Sequence, residues 1–118
     1  MRTIVLAACF MLSFPACAGF ISGNDLYGLY KAYKHIELDS ATDKDFRDAN
    51  EYMGYVTGVS DALDGFVYCP PSGITRGQLS DMVGQYIDKN PDIRHHSASN
   101  IMMIYLSDKY PCTKPKQG

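Results

Sequence analysis

A chain of 118 residues with 46% apolar and 20% charged side chains can bury one hydrophobic core, and it is too apolar for a disordered segment. Its formal charge of −2 argues against a nucleic-acid partner, which would call for a basic patch. Beyond Ala18 no stretch stays apolar for the roughly 20 residues that a membrane helix needs, so membrane insertion is not expected.

Residues 1–18 read as an export signal. Arg2 supplies a positive start, Ile4 to Phe14 is apolar, and Ala16-Cys17-Ala18 has the form of a cleavage site. Leu6-Ala7-Ala8-Cys9 has a lipobox look, but cleavage before Cys9 would leave too short an apolar region. Cutting after Ala18 removes Cys9 and Cys17 and leaves Cys69 and Cys112 in an oxidising compartment, where a single disulfide is the natural expectation. The chain-entropy model assigns a loop of that length about 4 kcal/mol of stabilisation. Losing Arg2 makes the mature chain one unit more acidic.

The first helix starts at Ser22 or Asn24 and runs to about Ile36, with Leu26, Tyr27, Tyr30 and Tyr33 as bulky positions. Tyrosines three residues apart slip about 60° per step, so they form a broad aromatic band, suited to the core or to a partner. A polar connector, Glu37 to Thr42, leads to a longer helix from about Asp43 to Phe66 carrying Phe46, Ala49, Met53, Val56, Ala62 and Leu63. Gly54, Gly58 and Ala62 lie four apart and make one row of minimal side chains, which predicts close packing of another helix there. Such packing would offset the cost of about 1 kcal/mol for each glycine in a helix interior. Asp43, Asp45, Asp48 and Glu51 crowd the N-terminal half, where carboxylates oppose the helix dipole favourably.

Cys69-Pro70-Pro71-Ser72-Gly73 interrupts the helical pattern. Thr75 and Gln78 then have capping-box spacing, and Leu79, Met82, Val83, Tyr86 and Ile87 follow as a clean stripe that Asn90-Pro91 ends. After a connector from Asp92 to His96, a last helix from about Ser97 to Lys109 carries Ala98, Ile101, Met102, Ile104, Tyr105 and Leu106. Pro111-Cys112 closes it, and residues 113–118 form a polar tail. No segment alternates with period two, so the expectation for residues 19–112 is one all-α domain, a compact bundle of four to five helices with one structural disulfide.

No catalytic set can be assembled from these residues. His95 and His96 are adjacent, which suits a single metal ion poorly, and Asp61 and Asp64 read as a solvated helix face. Cys69 and Cys112 lack the C-x-x-C arrangement that activates a thiol. The reading is a binding protein without catalysis, metal or cofactor.

Several motifs in order, Phe20-Ile21-Ser22-Gly23-Asn24-Asp25-Leu26-Tyr27, Gly54-Tyr55-Val56-Thr57-Gly58-Val59-Ser60-Asp61-Ala62 and Cys69-Pro70 with Gly73-Ile74-Thr75 and Gly77-Gln78-Leu79, continue into Asn90-Pro91, Ser97-Ala98 and Tyr110-Pro111-Cys112. In this order and spacing the chain resembles the Rap/Tai family of type VI secretion immunity proteins. The resemblance implies a helical periplasmic protein, often dimeric, that binds and blocks a toxic effector. The effectors best known for that family are papain-like peptidoglycan amidases. Members commonly carry a second cysteine pair, and here Tyr30 and Tyr52 stand at those places. From the family only the Cys69–Cys112 bridge and the Gly54 and Gly58 packing row carry over. The Asn90 to His96 connector is a separate hypothesis. It would project from the bundle and meet the effector through Asp92, Arg94, His95 and His96. The rival to immunity is a periplasmic binding or assembly module with no toxin partner.

Overall fold

The computed structural model describes residues 21–113. The export signal expected over residues 1–18, and the tail beyond Thr113, lie outside the described residues. Four α-helices are present: α1 (Gly23–Ile36), α2 (Asp43–Leu63), α3 (Arg76–Lys89) and α4 (Ala98–Lys109), with one turn of 3-10 helix at Pro91–Ile93 before α4. The described residues hold no β-strand beyond two isolated bridges, Ser22 with Ser97 and Asp64 with Tyr68. The domain is all-α.

Each helix begins where a hydroxyl can satisfy an orphan backbone amide. Ser22, Thr42 and Thr75 cap α1, α2 and α3 in full capping boxes with Asp25, Asp45 and Gln78, and the Ser97 hydroxyl accepts from the Asn100 amide. The amide of Ser22 donates to the Asp25 carboxylate, and that of Thr42 to Asp45, which holds both carboxyls below their ordinary range. Helix α2 ends at Leu63, short of the expected Phe66. Asp64 turns extended, and Gly65 takes φ +78, a left-handed conformation that glycine adopts without steric cost. Phe66 is thereby thrown into solvent, 86% exposed.

The core gathers Leu26 and Tyr30 of α1, Tyr52 and Val56 of α2, Leu79, Val83 and Ile87 of α3, and Ile101, Met102 and Leu106 of α4. Tyr52 is fully buried at its centre, and its hydroxyl donates to the Ser80 carbonyl of α3. Its ring meets both Tyr30 and Tyr33, with centroids at 5.5 and 5.2 Å. Tyr33 donates to Asp81 Oδ1 at 3.0 Å and so ties α1 to α3; burial, reinforced by that bond, pushes its phenol up to about 12. The aromatic band expected on α1 is therefore divided: Tyr30 is buried, while Tyr27 and Tyr33 are half-buried.

Among the described residues, the Gly54, Gly58 and Ala62 row does not pack against another helix. All three residues face outward, and a Cβ built on either glycine would meet nothing within 4 Å. The reason is the orientation of α2, which turns Ala49, Tyr52, Val56 and Ser60 inward and leaves the row on the opposite side. Phe46, expected in the core, lies on the flank of α2 at 49% exposure. The glycines that do permit close approach are Gly84 and Gly23. A Cβ on Gly84 would stand 2.1 Å from the Tyr30 ring, and one on Gly23 would stand 2.6 Å from Ile101 Cδ1 and 2.8 Å from the Arg94 backbone.

The disulfide joins Cys69 to Cys112 at 2.11 Å across 43 positions, and the Cys69 amide donates to the Tyr110 carbonyl at 2.9 Å beside it. The turn after α2 is thus tied both covalently and by backbone to the end of α4.

Candidate partner-binding surface

The connector from Asn90 to His96 is held from both sides by the backbone. The Gly23 amide donates to the His96 carbonyl and the Asn24 amide to the Arg94 carbonyl, both at 2.8 Å, while the Ala98 amide donates to the Ile21 carbonyl. Two otherwise orphan amides at the start of α1 are satisfied in this way. The segment expected to project from the bundle instead lies sewn across the start of α1.

Its four candidate contact residues separate into two groups. Arg94 turns inward: Nε donates to the Ile87 carbonyl and Nη2 to the Asp88 carbonyl, both at 2.8 Å, and the guanidinium lies 3.7 Å from the centroid of the Tyr27 ring. It caps the C-terminal end of α3, where a cation complements exposed carbonyls and the helix dipole. Asp92, His95 and His96 are exposed and able to meet a partner. The two imidazoles do not diverge as they would on a helix. The chain leaves the 3-10 turn there, and their ring centroids are 4.0 Å apart. Among the described residues no group of three or more His, Cys, Asp or Glu is arranged to hold a metal.

Beside this connector a groove runs between α3 and α4. Tyr86 of α3 stacks on Tyr105 of α4, with centroids 4.3 Å apart and planes 16° from parallel. On one side of the pair a cavity of about 260 Å³ is lined by Tyr86, Ile93, His96, Asn100, Ile101 and Ile104. On the other, a cavity of about 260 Å³ is lined by Met82, Gln85, Tyr86, Lys89, Asn90, Tyr105 and Lys109. Ile104 is 60% exposed at the edge of the first.

Two further cavities open elsewhere. One of about 430 Å³ lies beneath the Pro71 to Ile74 turn and reaches Asp81 and Tyr110. Another of about 380 Å³ is framed by Tyr27, Tyr30, Lys31, Lys34, His35 and Asp88. Lys34 is already engaged with Glu37 at 2.8 Å.

The groove residues Lys89, Ile93, Ile104 and Lys109 were not legible as a surface in the sequence. Ile104 fits a helical apolar stripe and reads as core, because apolar side chains extend nearly around α4 from Ala98 to Leu106. A hint lay in that excess, since a helix apolar on every side must be buried all round or leave one side for a partner.

Among the described residues no helix is long and apolar enough to cross a membrane. No curated protein and no solved structure matches the chain. A family model described as Rap1a immunity proteins does match, over residues 16–112, which includes every helix, both disulfide cysteines and the α3/α4 groove. The chain belongs to the Rap1a immunity protein family.

Proposed function

We propose that this protein acts in the periplasm as a stoichiometric inhibitor of a type VI secretion effector, a papain-like peptidoglycan amidase, and so protects the producing cell and its kin. Family membership over residues 16–112 carries this reading, since an immunity family implies a cognate effector as the partner. Inhibition by occlusion requires a complementary surface with a few buried anchors, and no chemistry of its own. The exposed Asp92, His95 and His96 beside the α3/α4 groove supply such a surface. The Cys69–Cys112 bridge suits an exported protein.

We extend the reading to a homodimer. The outward face of α2 supports it, where Gly54, Gly58 and Ala62 stand in one exposed row of minimal side chains. A second helix could approach closely there.

Expressing the chain from Gly19 in a bacterial periplasm, together with the product of the adjacent gene, tests the proposal. Rescue from lysis and co-purification are the expected results. Toxicity without rescue or binding would leave a helical binding module without a toxin partner.

A further inference from the structure

We propose that the α3/α4 groove seats an acidic-apolar segment of the effector, an assignment that rests on the immunity reading. The segment would place one large apolar side chain in the cavity at Ile93, Ile101 and Ile104, and a carboxylate at Lys89 and Lys109 in the cavity beyond Tyr86.

Three observations converge on this occupant. The first cavity exposes isoleucine that the fold leaves uncovered, with Ile104 at 60% exposure beside the fully packed Ile101. Covering Ile104 with an apolar side chain of the partner removes both of those side chains from water. Second, no carboxylate lines either cavity, whereas two lysines line one and a histidine the other, in a chain whose formal charge is negative. Among the described residues neither lysine enters an ion pair within the chain. Third, the spacing fits a peptide. Lys109 follows Ile104 by five positions on α4, about 7.5 Å along the axis and about 140° around it. An extended segment covers the axial distance alone in two to three residues at about 3.3 Å each, and the turn around the helix adds to it. The apolar and acidic side chains of the partner should therefore be at least three residues apart, crossing the flat Tyr86–Tyr105 pair.

A second copy of this chain fits less well. Docked groove to groove, it would offer Lys89 and Lys109 no carboxylate, since none lines either cavity. The groove also continues into the exposed connector through His96, so one partner can cover both.

The test is calorimetric titration of the mature, oxidised protein with the effector encoded beside it, at low and high salt. Ile104→Glu should weaken binding about tenfold or more, as loss of a central anchor does. The double variant Lys89→Glu and Lys109→Glu should weaken it to a similar degree and flatten its salt dependence. Leu38→Glu, at a site 66% exposed outside the groove, should bind like the wild type. Unchanged melting temperatures for all variants confirm folding. Wild-type binding that neither groove variant alters would overturn the assignment and leave the immunity reading standing. Failure of the wild type to bind would overturn both. Variants that change self-association while binding the effector normally would also overturn it, by making the groove a contact between copies.

Discussion

Tyr30 and Tyr52 pack ring against ring, with centroids 5.5 Å apart, at the two positions where the family resemblance places a second cysteine pair. An aromatic pair contributes about 0.5–1.5 kcal/mol beyond its burial, against about 2–4 kcal/mol for a disulfide. The phenol at Tyr52 adds a hydrogen bond to α3, and Tyr33 extends the cluster to Asp81. Contacts among three helices meet at this cluster. Tyr52→Phe should lower unfolding free energy by about 1 kcal/mol, the net worth of one hydrogen bond. Tyr52→Ala should lower it by about 3–5 kcal/mol through the cavity it opens. Urea denaturation of the oxidised protein measures both.

Glycine substitutions should divide by facing. Gly84→Ala forces a methyl into the Tyr30 ring, 2.1 Å from its Cε2 atom, and should destabilise by about 1–3 kcal/mol or more. Pairing it with Tyr30→Leu should recover part of the loss, a non-additivity expected of residues in contact. Gly54→Ala and Gly58→Ala meet open space and should each stabilise the isolated protein, by up to about 1 kcal/mol. Thermal melts at a concentration that keeps the protein monomeric separate the two classes. If the outer face of α2 joins copies, the same two alanines should weaken dimerisation in sedimentation experiments.

Stability should fall in alkali through Tyr33. Its folded phenol is raised from the ordinary value of 10.0 to about 12, so the folded state keeps a proton that the unfolded state releases. The contribution is complete below pH 10.0 and is lost as the pH rises towards about 12. Tyr33→Phe removes that titration, so its stability should decline less steeply over the same window. Ultraviolet titration of tyrosinate alongside melting curves checks the sign.

Arg94 should behave as a structural residue. Arg94→Ala removes two charge-assisted bonds to the end of α3 and the stacking on Tyr27, and should lower stability by about 1.5–3 kcal/mol. Arg94→Lys should restore little, because an ammonium lacks the planar fork that reaches two carbonyls and stacks on a ring. By contrast, His95→Ala should leave the melting temperature unchanged, its ring being exposed. Comparing melting with effector affinity for these variants separates support of the connector from contact with a partner.

The start of α3 at Thr75 could be read directly, because a capping box depends on residues three positions apart and needs no knowledge of the fold, whereas the start of α1 was left between Ser22 and Asn24. The pairing of Cys69 with Cys112 followed from the two cysteines expected to remain after export. The facing of α2 was not readable in the same way. A row of glycine and alanine reads identically whether it meets a helix or solvent, and only the placement of Tyr52 and Val56 decides which side turns inward. The role of Gly84 depends on Tyr30, which is distant in the chain. Arg94 likewise looked like a free cation, since its acceptors are carbonyls of an earlier helix and carry no side-chain signature.

The Cys69–Cys112 bond encloses α3, the 3-10 turn and α4 in one covalent ring, while α1 and α2 remain outside it. A single proteolytic cut within the ring leaves both pieces joined and the groove between its helices assembled. A cut in the connector from Glu37 to Thr42 frees α1 from every covalent tie to the rest, leaving its packing and non-covalent ties such as the amides at Gly23 and Asn24 and the Tyr33–Asp81 hydrogen bond to hold it. Damage by proteases is therefore unequal in effect, and the half of the molecule that carries the α3/α4 surface is the one built to outlast a nick.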